Sequence, residues 1–522
     1  MGRKFFLFTV SFLSLLLIAR DKANASHSMG VDLTYICLGN GNYAITISFY
    51  RDCSGISAPS SASVNIVSSC FPSQTLVLPQ ISFQEISALC PTAISTCQGG
   101  GQPGTEQYIY SDTVNLGPCS DWTFSWTECC RNAAITNLVN PSSQDIFIRA
   151  TLDNTGPDCN SSPIFTTLPV PYICSGQPYN YNHGAIDADG DSLVYTLVNP
   201  LTGGGVAIGY QPGYSPTYPI STQSGVVNFS TTTGQMWITP NMTQIAVVTV
   251  LVQEYRNGVL IGSTMRDIQI IVLVCGNMQP QLNPPGIVNL NGGTFLDTNS
   301  VEVCVGSALT YNIVASDPDI GDIITMTSNA NLALSGATFT AAGNNPVTGA
   351  LSWTPGFNDL GFNIYTVTIQ DNGCPVLGTQ SYVFEINVIT GTYAGPDVFL
   401  CDGDTAQLSV GGGTSFQWTP PINLSSDTIY NPLAYPATTT TYTVTSNLSG
   451  SCGNYDNVTV NVVPDFTLST GPGLILCDGG SAQLNATATP PGNYTYQWSP
   501  SSSLNFDTVP NPLASPTVTT MY

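Results

Sequence analysis

Positive charge is nearly missing from this sequence of 522 residues. Its only lysines, Lys4 and Lys22, fall at the very start, and beyond residue 25 five arginines face thirty-one carboxylates, a net charge of −26. Such a chain does not bind nucleic acid or an anionic membrane by electrostatics. Its acidity favours solubility and attracts divalent cations. Histidine is equally scarce, with only His27 and His183 present. A Ser-His-Asp or Cys-His site would have to use one of them. His27 belongs to an expected free terminus, and His183, beside an acidic loop, reads as a loop or packing residue. Clustered histidines for zinc are absent, as are H-E-x-x-H, G-x-S-x-G and P-loop motifs. Carboxylates are plentiful enough for glycoside cleavage, but they fall in repeated turns, where a single asymmetric active site is not expected. The chain is therefore read as a non-enzyme.

Long apolar runs and helix signals are also lacking. Phe5 to Ile18 is the one sustained apolar run, preceded by Arg3 and Lys4 and followed by Ala23-Asn24-Ala25. That order is an export signal with an A-x-A cleavage site, so residues 1–25 are expected to be removed and the mature chain to begin at Ser26. No later segment reaches the ~18 apolar residues of a transmembrane helix, so the mature chain is expected to have no transmembrane segment. Behind such a leader, sixteen cysteines read as disulfides.

What remains is β-rich. Thr, Val, Ile, Tyr and Phe alternate in short runs such as Tyr43 to Tyr50 and Val247 to Gln253, punctuated by Gly, Pro, Asn and Asp clusters. The length predicts several domains, and this punctuation predicts sandwiches. Repeats set the boundaries. CDGDTAQL at Cys401 returns as CDGGSAQL at Cys477; Trp418, Asn431 and Tyr442 return as Trp498, Asn511 and Tyr522. Near-fixed spacing marks tandem domains, and the second copy stops where the first still has two strands to run, so it reads as truncated and the chain as a fragment. Upstream, DADGDSL at Asp187 resembles DPDIGD at Asp317. TGQMWITP around Trp237 resembles TGALSWTP around Trp353, and VTVLVQEYRNG resembles YTVTIQDNG. A Pro/Asn/Gly-rich stretch from Gly276 to Gly293 reads as the linker between these two copies. A Cys-x-Gly step at Cys37, Cys174, Cys304, Cys401 and Cys477 is read as the opening edge strand of each module.

The expected fold is all-β, with tandem immunoglobulin-like or cadherin-like sandwich modules in an extended array. After the leader come a cysteine-rich β domain (26–165), two sandwiches with acidic loops (166–275 and 276–391), a complete sandwich (392–465) and its truncated copy (466–522). The repeats pair Cys401 with Cys452, Cys304 with Cys374 and Cys174 with Cys275, leaving Cys477 without its partner. The first domain holds nine cysteines, so one pairs outside it or another assignment is wrong. The adjacent Cys129 and Cys130 are expected to go to different partners.

Two acidic constellations could bind metal. Asp187, Asp189 and Asp191 alternate about Gly190, with Glu254 positioned to close the site; Asp317, Asp319, Asp322 and Asp371 repeat the arrangement. Dense hard-oxygen ligands suit Ca²⁺, although Asp-Gly is also ordinary turn chemistry. Trp237, Trp353, Trp418 and Trp498 occur once per module and are expected in cores.

SHSMGVDLTYICLGNGNYAITISFYRDCSG (Ser26 to Gly55), TECCRNAAITN (Thr127 to Asn137), NHGAIDADGDSLVYTLVNPLTG (Asn182 to Gly203) and VQEYRNGVLIGSTMRDIQ (Val252 to Gln269) resemble the large secreted surface proteins of Bacteroidota labelled gliding-motility-associated. The tail repeats resemble their polycystic-kidney-disease-like modules. The resemblance implies a Gram-negative surface or secreted protein that uses the type IX secretion machinery as a partner. Its expected role is an adhesin-like stalk for an extracellular protein or polysaccharide ligand. The alternative is a non-catalytic or polysaccharide-binding arm of a larger secreted hydrolase.

Overall fold

The computed structural model describes residues 28–169, 172–448, 452–463 and 466–522. The leader, its cleavage site and His27 lie outside the described residues. Among those described, no helix is long and apolar enough to cross a membrane. The described residues are nearly all β, and the chain divides into two compact units, Met1–Val388 and Ile389–Tyr522.

In the first unit, a thirteen-stranded sheet joins two regions that the sequence places in separate domains. Its path runs through Ser192–Leu197, Gln244–Arg256, Val259–Leu273, Ser28–Gly39, Asn42–Asp52, Thr105–Asn115, Gln74–Glu85, Ser61–Val67, Trp122–Glu128 and Ile146–Leu152. Strand Val259–Leu273 then pairs with Ile146–Leu152 as well, through Gly262, Ser263 and Thr264, while Arg266, Asp267 and Ile268 pair with Ser28–Gly39. The N-terminal sheet thus closes on itself only through a strand lying more than a hundred residues downstream. The division expected at residue 166 is corrected accordingly. The reason is that Val259–Leu273 is long enough to serve two cores. Met265 packs with Val31, Ile45, Phe124 and Ile148, whereas Ile268, Ile270 and Val272 pack with Tyr181, Met236 and Val248. Asn257 and Gly258, both at positive φ, form the tight turn that delivers this strand from Gln244–Arg256.

The middle of that strand carries two charges of opposite sign on opposite faces. Arg266, fully buried, meets Asp32 at 2.9 Å, and Tyr50 donates to the same carboxylate at 2.8 Å. Asp267 is held by Arg131 through two bonds of 3.0 and 2.8 Å, with Thr249 adding a third. Arg266 also donates to the carbonyl of Thr167 and lies over the ring of Phe165. Burial pushes the Asp32 carboxyl up, against the attraction of Arg266.

The third module is a two-sheet sandwich. One sheet contains Gln281–Asn291, Leu309–Ser316, Val347–Trp353 and Thr338–Gly343; the other contains Ser300–Cys304, Thr379–Ile389, Gly361–Gln370 and Thr325–Ser328. The stretch expected as a linker from Gly276 to Gly293 is therefore mostly strand. It tolerates Pro284 and Pro285 because it is an edge strand whose pairing breaks between Leu282 and Ile287. Two buried glutamines fix this module to the preceding one. Gln235 donates to the Ser381 carbonyl and accepts from the Val383 N–H, while Gln380 donates to the Pro178 carbonyl and accepts from the Asn180 N–H.

In the second unit, strands Val398–Cys401, Tyr455–Val463, Thr440–Ser446 and Phe416–Thr419 form a four-stranded sheet over Trp418 and Tyr442. Several hydrogen bonds recur in the tail repeat. Trp418 donates to the Ile429 carbonyl and Trp498 to that of Val509, while Gln417 bonds Asp427 and Gln497 bonds Asp507.

Each Cys-x-Gly step ends a strand or precedes a turn, and the glycine takes positive φ in all five. The edge-strand expectation fails at three of them: Ser28–Gly39 and Ser300–Cys304 lie inside their sheets, and Cys477 is in no strand. Three cores hold their tryptophan, but Trp237 is 41 % exposed. TGQMWITP and TGALSWTP are equally long, but the tryptophan comes one position earlier in the first, so the pleat puts Trp237 on the face of Ser352 and gives Ile238 the buried place of Trp353.

Cys174 pairs with Cys275, and Cys37 with Cys159, Cys53 with Cys97 and Cys70 with Cys119. Other pairings depart from expectation. Cys374 bonds Cys90, not Cys304, because the loop carrying it docks on residues 88–90; Cys90 donates to the Pro375 carbonyl and Leu377 to that of Ala88. Cys304 is itself disulfide-bonded. The Cys90–Cys374 bond accounts for the odd cysteine of the first domain. Cys129 and Cys130 bond each other. Cys401 is free and exposed, as is Cys477. Cys401 stands opposite Val463 in a parallel pair, at the far end of Tyr455–Val463 from the disulfide-bonded Cys452. That separation is on the order of 25 Å of strand, far beyond disulfide reach.

Two outcomes follow from this architecture. Asp267→Leu leaves Arg131 charged and buried, and should lower the opening free energy of strand Val259–Leu273, read by native-state hydrogen exchange, by about 3–5 kcal/mol. The double change Arg131→Met with Asp267→Leu should cost much less; equal losses would mean that packing, not charge, sets the penalty. Alkylation of the unreduced protein should label Cys401 and Cys477 and leave Cys90 and Cys374 joined in one peptide pair on digestion.

Candidate metal centres

The two acidic constellations do assemble, each at the entrance to a module. In the first, Asp187 begins the turn after strand Ala185–Ile186, and Glu254 lies near the end of Gln244–Arg256. Asp187, Asp191 and Glu254 bring carboxylate oxygens within 4.8 Å of one another. In the second, Asp317, Asp322 and Asp371 do the same. Asp187 shapes its loop by accepting from the N–H groups of Asp189 and Asp191, and Asp317 likewise from Asp319. These are ordinary Asx-turn bonds. The second oxygens are different: Asp187 Oδ2, Glu254 Oε1 and Asp317 Oδ2 are buried and meet no hydrogen-bond partner.

Asp189 and Asp319, expected among the ligands, fall outside these trios. Each accepts a backbone N–H from the segment entering its module, Ser161 for Asp189 and Met278 for Asp319. Their role in the structure is to clamp that entry segment.

Sequence reasoning missed the residue beside each of those amides. Asn160 donates to Glu254 at 2.7 Å, and Asn277 donates to Asp371 at 2.9 Å; in both cases the two residues are 94 apart. The signal was present as Asn-x-x-Pro, at Asn160-Ser161-Ser162-Pro163 and Asn277-Met278-Gln279-Pro280, one or two residues after Cys159 and Cys275. Each of those cysteines is disulfide-bonded, which fixes the entry segment over its acid cluster. Arg256 was also missed. It binds Asp191 through Nε and a terminal nitrogen at 2.8 and 2.7 Å and reaches Asn160 Oδ1 at 2.9 Å.

Burial dominates the electrostatics. It pushes Glu254 up to about 9, with Asp187 adding to the rise and the Asn160 hydrogen bond opposing it. Burial also lifts Asp187 and Asp317 to about 6 and raises Asp371. Clustered acids with unpaired buried oxygens are held at a cost that a divalent cation would relieve. The donor set is all hard oxygen, which fits Ca²⁺. No nucleophile-base pair is present here. His183, the one described histidine, is fully buried against Tyr181 and Phe165, its nitrogens without polar partners, and burial holds it well below 6.5.

No known protein family matches the chain, and no curated protein matches it. Among solved structures, it is similar to an I-band fragment from titin at 11 % identity, over 58 % of this chain and 98 % of that one, with a TM-score of 0.23. An ectodomain fragment of ICAM-5 gives 10 % identity, 81 % and 96 % coverage and 0.22. The N-terminal eight Ig domains of Down Syndrome Cell Adhesion Molecule give 10 %, 95 % and 77 %, and 0.20. At scores this low the likeness bears on neither activity nor partner.

The sign of the Glu254 shift makes a test. Its native value, about 9, lies above the ordinary 4.5, so the metal-free fold loses stability as pH rises between those values and is not penalised below them. With chelator at pH 8, Glu254→Gln should stabilise the fold by on the order of 1–3 kcal/mol. With millimolar calcium, the unmodified protein should melt higher than the variant. A variant that is less stable under both conditions would show that Glu254 serves packing alone.

Proposed function

We propose that this chain is a secreted or cell-surface, non-catalytic stalk of adhesin type, whose module entrances are stiffened by calcium. The observation that carries this reading is the position of the acid clusters. Each binds the segment leading into its module, through Asn160 and Ser161 in one case and Asn277 and Met278 in the other. Ligands there rigidify a joint; they do not face a substrate. Disulfides through the first unit support an oxidising, extracellular setting. The motif resemblance to gliding-motility-associated proteins of Bacteroidota supports export by the type IX machinery, with a polysaccharide or protein as the extracellular ligand.

Arginine placement fits the same role. Of the five arginines beyond the leader, Arg51, Arg131, Arg256 and Arg266 each pair with a carboxylate, and only Arg149 is exposed without a carboxylate partner among the described ion pairs. The surface is left acidic and lysine-free, a dispersing coat for an exposed stalk.

Antibody raised against residues 394–463 should label intact, unpermeabilised cells, and the mature protein should begin at Ser26 by mass. Labelling that requires permeabilisation would overturn the surface assignment.

A further inference from the structure

We propose that the two acidic centres are unequal by construction: the Asp317–Asp322–Asp371 centre is the stronger calcium site, and Arg256 acts at the Asp187–Asp191–Glu254 centre as a resident counter-cation that weakens metal binding there. This rests on the reading that the centres take calcium.

The two centres share their frame. Both have an Asx-turn aspartate, a downstream acid 94 residues after a linker asparagine, and a linker amide held by a further aspartate. Each also aims a buried carboxylate oxygen without a partner into the cluster: Glu254 Oε1, on a residue with no exposure, and Asp317 Oδ2, on a residue 8 % exposed. They differ in compensating charge. Arg256 engages both oxygens of Asp191, and its guanidinium cannot be neutralised at any ordinary pH. One ligand of the first trio is thereby already satisfied and its charge offset.

Among the described ion pairs none involves the second centre, and its own module has no cation to offer. The sequence contains no lysine or arginine after Arg266 and no histidine after His183. The residue following Asp371 is Asn372, whose side chain accepts the Ile323 N–H. Asp317, Asp319, Asp322 and Asp371 have no cationic side chain within their own module to balance them, so a dissolved cation is the partner available.

The difference originates in two residues. Gln253-Glu254 is followed by Tyr255-Arg256-Asn257-Gly258, whereas Gln370-Asp371 is followed directly by Asn372-Gly373. The extra pair lengthens the hairpin: Tyr255 stands opposite Leu260 and Arg256 opposite Val259, after a register shift that passes over Ile261 on the facing strand. The longer strand carries Arg256 to Asp191, where the shorter hairpin after Asp371 has no counterpart. Calcium, with its tolerance for six to eight oxygens, suits both frames better than magnesium, which keeps its waters.

Calorimetric titration of the full chain with calcium should resolve two classes of site differing by roughly tenfold or more, given a full opposing charge within contact distance. Asp322→Asn, at a half-buried position, should abolish the tighter class, and Asp187→Asn the weaker one. Arg256→Gln, at a partly exposed side chain, should tighten the weaker class and bring the two together, while melting with chelator confirms that the variant is folded. Loss of the tight class on Asp187→Asn, or an Arg256→Gln titration indistinguishable from the parent, would overturn the inequality while leaving calcium binding intact. A chain that takes up no calcium would overturn the inequality and the calcium-stiffened joint together.

Discussion

The fold of the first unit turns on one dipeptide. Arg266 and Asp267 are neighbours on a strand, so their side chains point to opposite faces, and both faces are buried. A lone charge in either place would be untenable. Each is therefore matched from a different part of the chain, Asp32 from the first strand and Arg131 from the segment after Trp122–Glu128. These pairs need not add net stability, since desolvation offsets much of their attraction. What they impose is register. Sliding Val259–Leu273 by one residue would exchange the two faces and oppose Arg266 to Arg131 and Asp267 to Asp32, in addition to reversing its apolar residues.

That constraint gives physical content to the motifs that carry the family resemblance. GVDLTY contains Asp32, TECCRNA contains Arg131 and GSTMRDIQ contains Arg266 and Asp267. Three segments scattered over more than two hundred residues are the parts of one buried charge lattice. Elsewhere, with charge at only 8 % of the sequence, amide side chains take over. Gln235, Gln380, Asn160 and Asn277 hold backbone or carboxylate across module boundaries. An amide can donate and accept at once without the desolvation cost of an ion, which makes it the appropriate connector in a chain that has almost no cations to pair.

Local features were legible in the sequence and long-range ones were not. Alternation gave the strands, and two acids of each triplet meet the downstream acid, Asp187 and Asp191 with Glu254 and Asp317 and Asp322 with Asp371, while Asp189 and Asp319 turn to the entry segments. Cys174 with Cys275 was readable because both flank one module. The failures share a cause. Cys90–Cys374, the closure of the N-terminal sheet by Val259–Leu273 and the parallel pairing that strands Cys401 all depend on which distant segments meet, and periodicity carries no information about that. Trp237 failed differently: it stands one position earlier in its motif than Trp353 and so falls on the other side of the pleat. Asn160 and Asn277 could have been found, because Asn-x-x-Pro recurs after a cysteine at both module entrances, but the pattern has meaning only once each asparagine is seen to reach an acid 94 residues away.

The same logic bears on why acids were placed at these entrances at all. A segment joining two sandwiches has few apolar contacts of its own, so its geometry must be set by polar bonds and crosslinks. A disulfide fixes one end of each entry segment, at Cys159 and Cys275. The acid cluster fixes the next two or three residues by accepting from an asparagine side chain and from a backbone amide. Carboxylates are suited to this because each offers several acceptor sites, yet gathering three of them creates a repulsion that the joint must then relieve. One entrance lies in the part of the chain that still contains arginine and has a guanidinium at hand. The other lies beyond the last arginine, and its balance depends on what the surrounding solution supplies. On the proposed reading, the rigidity of that second joint would follow the ionic composition of the medium, through the scarcity of positive charge that distinguishes the whole sequence.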